Sequence, residues 1–147
     1  MKHLLLLLAL YLSGNNASAQ CDPSTFVFSI SPGITQSGFH LSLEGGIWPI
    51  TGRFGGMLGV LMYDEKIVTA KGSETLTQID AMARGIYKLT PTDATFPQVL
   101  TAFVTARGVY GASYRAYMSI GEYEMVGIEP VISRLGAGVN ILITMRL

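Results

Sequence analysis

Charge and cysteine are both scarce in this sequence. Ten basic and ten acidic residues among 147 give a net charge of zero, and only 14% of residues are charged, against roughly 25% in an average soluble domain. Without a basic surplus there is nothing to neutralise phosphates, so we expect no nucleic-acid partner. The one cysteine, Cys21, excludes an internal disulfide framework and a Cys-rich zinc site. It follows Gln20 rather than the small residue that a lipidation motif requires, which argues against its lipidation.

Residues 1–19 have the three regions of a secretory signal peptide. Lys2 and His3 precede an apolar run from Leu4 to Leu12, and a polar stretch then ends in Ala17-Ser18-Ala19. The run is shorter than the roughly 20 residues that a membrane-spanning helix needs. A buried N-terminal helix is the alternative interpretation. We expect cleavage after Ala19, which leaves residues 20–147 as one domain.

Beyond residue 20, apolar residues alternate with period two. No stretch of 18 apolar residues occurs, which excludes a transmembrane helix in this part of the chain. The alternation predicts eight strands separated by Gly, Pro, Asp, Asn and Thr. They cover residues 26–34, 39–48, 54–63, 76–89, 100–110, 112–120, 126–133 and 139–147. The third segment is apolar or glycine on both faces, so its register stays open, and residues 64–74 are predicted to form a loop.

The two faces of these segments differ in charge. One face of nearly every segment has no charged residue, whereas the other mixes Gly, Ser and Thr with isolated charges. These charges are Glu44, Asp80, Arg84, Arg107, Arg115, Glu129 and Arg146. A soluble barrel needs about a third of its outer residues charged, whereas a transmembrane barrel has an apolar outside and a polar interior. The pattern therefore predicts an all-β fold, an eight-stranded antiparallel up-and-down transmembrane β-barrel.

The charged face predicts a network inside the barrel. An eight-stranded barrel is only wide enough for side chains to fill it, and buried charges must be paired to offset their desolvation. We therefore expect each of the four arginines to lie within salt-bridge reach of one of the three acids. The alternative is a narrow ion path past the arginines.

Two short sequence segments resemble those of a known family. Ser31-Pro32-Gly33-Ile34 and Gly127-Ile128-Glu129-Pro130-Val131, with the signal peptide and the eight segments, are similar to Bacteroidota-type barrels. The chain resembles small bacterial outer-membrane β-barrels of the opacity or OmpA-like class. This resemblance implies location in a Gram-negative outer membrane, contact with its lipid, and insertion by the barrel-assembly machinery. Such barrels commonly end in Phe or Trp, whereas this chain ends in Leu147.

No motif for catalysis, a cofactor or a metal occurs in the sequence. His40, Ser42 and Glu44 lie on one strand face, but each step is about 6.6–6.8 Å, and a nucleophile must lie roughly 2.6–3.2 Å from its base. We therefore expect no catalytic residue, cofactor or metal site, and a non-enzymatic barrel with a structural or partner-binding role, including a possible protein partner in the membrane. The alternatives are a secreted soluble barrel that binds an apolar ligand, a lipid-modifying barrel enzyme, and a narrow pore.

Overall fold

The computed structural model describes residues 26–49, 53–90 and 96–147, which form one closed barrel. The strands are β1 Phe26–Thr35, β2 Gly38–Ile47, β3 Phe54–Thr69, β4 Gly72–Lys88, β5 Gln98–Thr105, β6 Tyr110–Ser119, β7 Glu124–Ser133 and β8 Gly136–Arg146. Each strand pairs antiparallel with its sequence neighbours, and β8 closes on β1. The predicted eight-stranded up-and-down barrel is confirmed. The expected signal peptide and Cys21 lie outside the described residues, and no described helix is long and apolar enough to span a membrane.

The period-two alternation sorts side chains between the interior and the outer wall. On β2, His40, Ser42 and Glu44 are buried in the barrel interior, while Phe39 and Leu43 are exposed on the wall. The same alternation holds on the other strands because successive side chains point to opposite faces of a sheet. It also fixes the register of the third segment, where Met57, Gly59, Leu61 and Tyr63 face inward.

The four turns at one end of the barrel share one sequence pattern. Each has Ser or Thr followed three residues later by glycine: Thr35 to Gly38, Thr69 to Gly72, Thr105 to Gly108, and Ser133 to Gly136. The four glycines have φ between 85° and 133°, a conformation that disfavours residues with a Cβ. In each turn the Ser or Thr hydroxyl accepts a main-chain N–H, two or four residues later. We call this the hairpin end, and the end containing Phe26 and Leu147 the proximal end.

The predicted loop at residues 64–74 is wrong. β3 and β4 continue as a paired ladder from Asp64–Thr77 to Thr69–Gly72, with a two-residue turn at Ala70 and Lys71. The polar residues that suggested a loop are instead the exposed side chains of a hairpin that extends past its neighbours. We call residues 64–77 the arm.

Two interior glycines lie where neighbouring strands approach each other closely. A Cβ placed on Gly59 would lie 2.0 Å from the main-chain oxygen of Leu43 on the adjacent strand. A Cβ on Gly46 would lie 2.1 Å from the oxygen of Gly56. A side chain at either position would force the neighbouring backbone to move, so glycine marks a close approach of strands there.

Candidate functional site

The barrel interior contains a cluster of four charged side chains, which we call the lumen cluster. Glu44 comes from β2, Arg84 from β4, Arg115 from β6 and Glu129 from β7. Each occupies an inward position of its strand, and all four side chains are at most 1% exposed. Two positive and two negative charges balance, so the cluster can be buried without an uncompensated charge.

Every arginine of the lumen cluster contacts both carboxylates. Arg84 binds Glu44 in a two-point contact, with Nε 2.8 Å from Oε2 and Nη2 3.0 Å from Oε1, and its Nη1 lies 3.0 Å from Oε1 of Glu129. Arg115 places Nε 2.8 Å from Oε1 of Glu129 and Nη2 3.1 Å from Oε1 of Glu44. The four side chains therefore tie four strands together across the interior by charge-assisted bonds, the stronger class of hydrogen bond.

Neutral groups complete the hydrogen bonding of the carboxylates. The hydroxyl of Ser42 donates to Glu44 at 2.6 Å, and that of Ser113 donates to Glu129 at 2.6 Å. The amide of Asn140 donates to Oε2 of Glu129 at 2.9 Å. In the sequence these three residues lie on the same polar strand faces as the charges. Alternation alone does not indicate that they donate hydrogen bonds to the carboxylates.

An apolar layer lies on each side of the lumen cluster. The proximal layer comprises Val27, Trp48, Met57, Ile86, Val99, Tyr117, Met125 and Leu142. The hairpin layer comprises Leu61, Tyr63, Met82, Phe103, Val109, Val131 and Leu135. Along β4, Arg84 lies between Ile86 of the first layer and Met82 of the second, so the ion pairs lie between two apolar seals.

Three of the seven predicted network residues lie outside the lumen cluster. Arg107 is in the β5–β6 turn, because β5 ends at Thr105, and its exposed guanidinium contacts the amide oxygen of Gln78. Asp80 accepts the main-chain N–H of Arg107 at 2.9 Å. Arg146 is the last residue of β8, at the proximal rim, and its buried Nε has no hydrogen-bond partner in the described structure. In the described structure neither Arg107 nor Arg146 forms a salt bridge with Glu44, Asp80 or Glu129, so the expected pairing is wrong for these two arginines.

His40 is buried beside the lumen cluster but does not bond to it. It is 1% exposed, and neither ring nitrogen has a hydrogen-bond partner among the described atoms. The Ser42 hydroxyl donates to Glu44, and Glu44 in turn binds both arginines. In this geometry Glu44 is directed to the arginines rather than to the imidazole. No group of three or more His, Cys, Asp or Glu side chains suited to a metal ion occurs in the described ranges.

No protein-family model, no curated protein and no solved structure matches this chain.

Proposed function

We propose that this chain is a non-enzymatic outer-membrane β-barrel with a structural or partner-binding role. The observation that carries the proposal is the distribution of charge on the barrel. Outward side chains of the barrel wall are uncharged, and the charged residues of the described strands face the lumen or lie at the ends.

The outer wall is apolar to an extent unusual for a protein surrounded by water. Leu58 is 72% exposed and Ile132 is 74% exposed, and many other large apolar side chains are exposed on the same wall, with Ala and Gly between them. Monomeric soluble proteins rarely expose contiguous apolar patches larger than a few hundred Å². A bilayer covers such a wall without a partner protein, which favours membrane insertion over secretion as a soluble barrel.

The height of the apolar surface matches a bilayer. On five strands, the outward positions carry only apolar side chains or glycine over a length of eight residue-to-residue steps. These ranges are 26–34, 39–47, 54–62, 79–87 and 139–147. Eight steps of about 3.4 Å give roughly 27 Å along a strand, which a tilt near 40° reduces to roughly 21 Å along the barrel axis. Outer-membrane barrels have an apolar band about 25 Å tall. The apolar band ends on β3 and β4 at Met62 and Ile79, because the next outward residues toward the arm are the polar pair Asp64 and Thr77.

Aromatic side chains lie near both edges of the band. Phe26, Phe54 and Tyr87 lie toward the proximal end, and the rings of Phe54 and Tyr87 are 5.2 Å apart. Phe39 and Tyr110 lie toward the hairpin end and are also exposed. Amphipathic rings favour the membrane–water interface, so these positions support the proposed placement.

The lumen supports a closed barrel rather than a ligand carrier or a pore. A soluble barrel that binds an apolar ligand needs an empty apolar interior, whereas here ion pairs occupy the middle of the described lumen and apolar layers flank them. The same ion pairs stand across the middle of the lumen, which favours a barrel that does not conduct. We further propose that the chain belongs to the opacity or OmpA-like class of Bacteroidota-type barrels. On this proposal residues 1–19 direct its export, the barrel-assembly machinery inserts it, and outer-membrane lipid surrounds it.

Fractionation combined with electrophoresis tests the proposal. We expect the mature chain to sediment with outer membranes and to migrate faster before heating than after heating, because a closed barrel resists detergent until it is boiled. A periplasmic marker protein processed in parallel serves as the control. Recovery with that marker, without a heat-dependent shift in mobility, would rule out the membrane location.

A further inference from the structure

The arm has two edges that are not paired with a strand. Pairing of β2 with β3 stops at His40–Tyr63, and pairing of β5 with β4 stops at Met82–Thr105. Beyond these points β3 and β4 pair only with each other as far as the tip. A two-stranded ribbon of six residue pairs therefore extends past the hairpin end.

The β3 edge of the arm is covered by its own side chains. Asp64 Oδ2 accepts the main-chain N–H of Phe39 at 2.9 Å. Lys66 Nζ donates to the main-chain oxygen of Gln36 at 3.4 Å. Both contacts draw charged side chains across the space that an added strand would occupy.

The β4 edge is covered only at its base. Ala81 accepts the main-chain N–H of Ala106 at 2.9 Å, and Asp80 accepts that of Arg107. Residues 73–77 are all exposed, and within the described structure they pair with β3 alone. We call residues 73–77 the open edge.

The hydrogen-bonding direction along the open edge follows from the ladder. The oxygen of Ala81 points toward β5, and the β3–β4 register runs without a bulge from the base of the arm to its tip. In an antiparallel strand, the N–H and C=O of one residue point to the same side, and alternate residues point to opposite sides. Ser73, Thr75 and Thr77 therefore direct six main-chain groups away from β3, over about 14 Å.

The open edge lacks the usual protection against strand addition. Natural edges are blocked by Lys, Pro, bulges or inward-pointing charges, whereas this segment, Ser-Glu-Thr-Leu-Thr, contains only Glu74 as a charged residue. We propose that the open edge binds an extended segment of a partner protein as an added β-strand. The strand that fits carries a basic side chain facing Glu74 and an apolar one facing Leu76, with small or β-branched residues on the other face.

A second copy of this chain fits the open edge poorly. Two barrels in one membrane point their arms to the same side, so a two-fold axis along the membrane normal would make their β4 strands run parallel. Parallel pairing is the less stable arrangement per residue, and antiparallel pairing would need one barrel to be inverted. A non-identical extended segment is free of this restriction.

The proposal depends on the proposed function only for placing the arm outside the bilayer, and peptide binding to the detergent-solubilised barrel tests it separately. The probe is a blocked heptapeptide, Thr-Val-Thr-Lys-Thr-Val-Thr. The matched control is the same peptide with alternate amides N-methylated, which removes the donors of one edge. Amide NMR should show saturable shifts at residues 73–77 at peptide concentrations up to about 1 mM, and slower hydrogen exchange at Ser73, Thr75 and Thr77.

Two proline variants locate the binding edge. Thr75→Pro removes a main-chain N–H that points to the open side and leaves the β3–β4 ladder intact, as edge positions tolerate proline. Val68→Pro makes the equivalent change on the β3 edge. We expect at least about a tenfold loss of peptide affinity for Thr75→Pro and little change for Val68→Pro, with the arm's amide signals retained in both.

The outcomes separate the alternatives. The proposal is overturned by an absence of saturable shifts, by equal binding of the N-methylated peptide, or by loss of binding in Val68→Pro alone. Concentration-dependent self-association without peptide, abolished in Thr75→Pro, would instead assign the open edge to a second copy.

Discussion

Replacement of Arg115 by methionine should destabilise the barrel strongly. The guanidinium is fully buried and bonds to Glu129 at 2.8 Å and to Glu44 at 3.1 Å. Arg115→Met keeps an apolar stem of similar length but leaves two buried carboxylates to share Arg84. Breaking a buried ion pair by removing one partner typically costs about 3–5 kcal/mol, and we expect a decrease of that size in the free energy of unfolding.

Urea unfolding of the refolded barrel measures this effect. Trp48, the only tryptophan, is 5% exposed and its ring lies 5.1 Å from that of Tyr117, so its fluorescence reports on the interior. Lys71→Met, in the exposed turn of the arm, is the control and should change stability by no more than about 0.5 kcal/mol. Adding Glu129→Gln to Arg115→Met should recover part of the loss, with a coupling of about 0.5–3 kcal/mol. If Arg115→Met and Lys71→Met lowered the free energy of unfolding equally, the four charges would not form a buried, mutually dependent cluster.

Three further predictions follow from the same geometry. Gly59→Ala should lower the urea midpoint by the equivalent of about 1–3 kcal/mol, because its Cβ would meet a backbone oxygen at 2.0 Å. Gly85→Ala, whose Cβ would lie 4.0 Å from its nearest neighbour, should leave the midpoint unchanged. Equal midpoints for the two variants would contradict the close approach at Gly59. In planar bilayers the purified protein should give no steady conductance, and a stable open level would show that water bypasses the cluster. The N–H of Phe39 and the Thr77 hydroxyl, which donate to Asp64, hold the pKa of this exposed carboxyl below its ordinary value. The contact is therefore present at neutral pH and is lost as the pH falls through the lowered pKa. The Phe39 amide shift should titrate in that acidic range, and in Asp64→Asn it should not.

The strand pattern was predictable because the sheet has a strict period of two and both faces are chemically distinct. Charges on the polar face indicated the interior, and four of the seven that the sequence singled out meet in the lumen cluster. Arg107 and Arg146 could not be separated from them by alternation, because alternation gives the face of a residue and not its height along the barrel. Height depends on where each strand ends and on the stagger between strands, which are set by pairing across the sheet.

The sequence pattern does not predict the arm, because a polar stretch that follows an apolar strand favours a loop. Residues 64–77 are still paired as two strands. They are polar because the hairpin extends beyond the apolar wall, so that neither of its faces packs against the lumen or the outer apolar band. One local signal was present in the sequence: Thr69-Ala70-Lys71-Gly72 repeats the Ser/Thr-x-x-Gly pattern of the other three turns. Its position predicts a tight hairpin at residues 70 and 71 and therefore two long strands.

The most direct test of the account places one charge at the middle of the apolar band. Leu58 lies halfway between Phe54 and Met62 on the outer wall, and an arginine at the bilayer midplane of a barrel costs about 2–4 kcal/mol. Val68→Arg, on the arm and 87% exposed, is the matched control. For the barrel refolded in lipid vesicles, we predict that Leu58→Arg lowers the free energy of unfolding by about 2–4 kcal/mol and that Val68→Arg changes it by no more than about 0.5 kcal/mol. Equal, near-zero effects would mean that water covers the outer wall, and would contradict the membrane-spanning barrel.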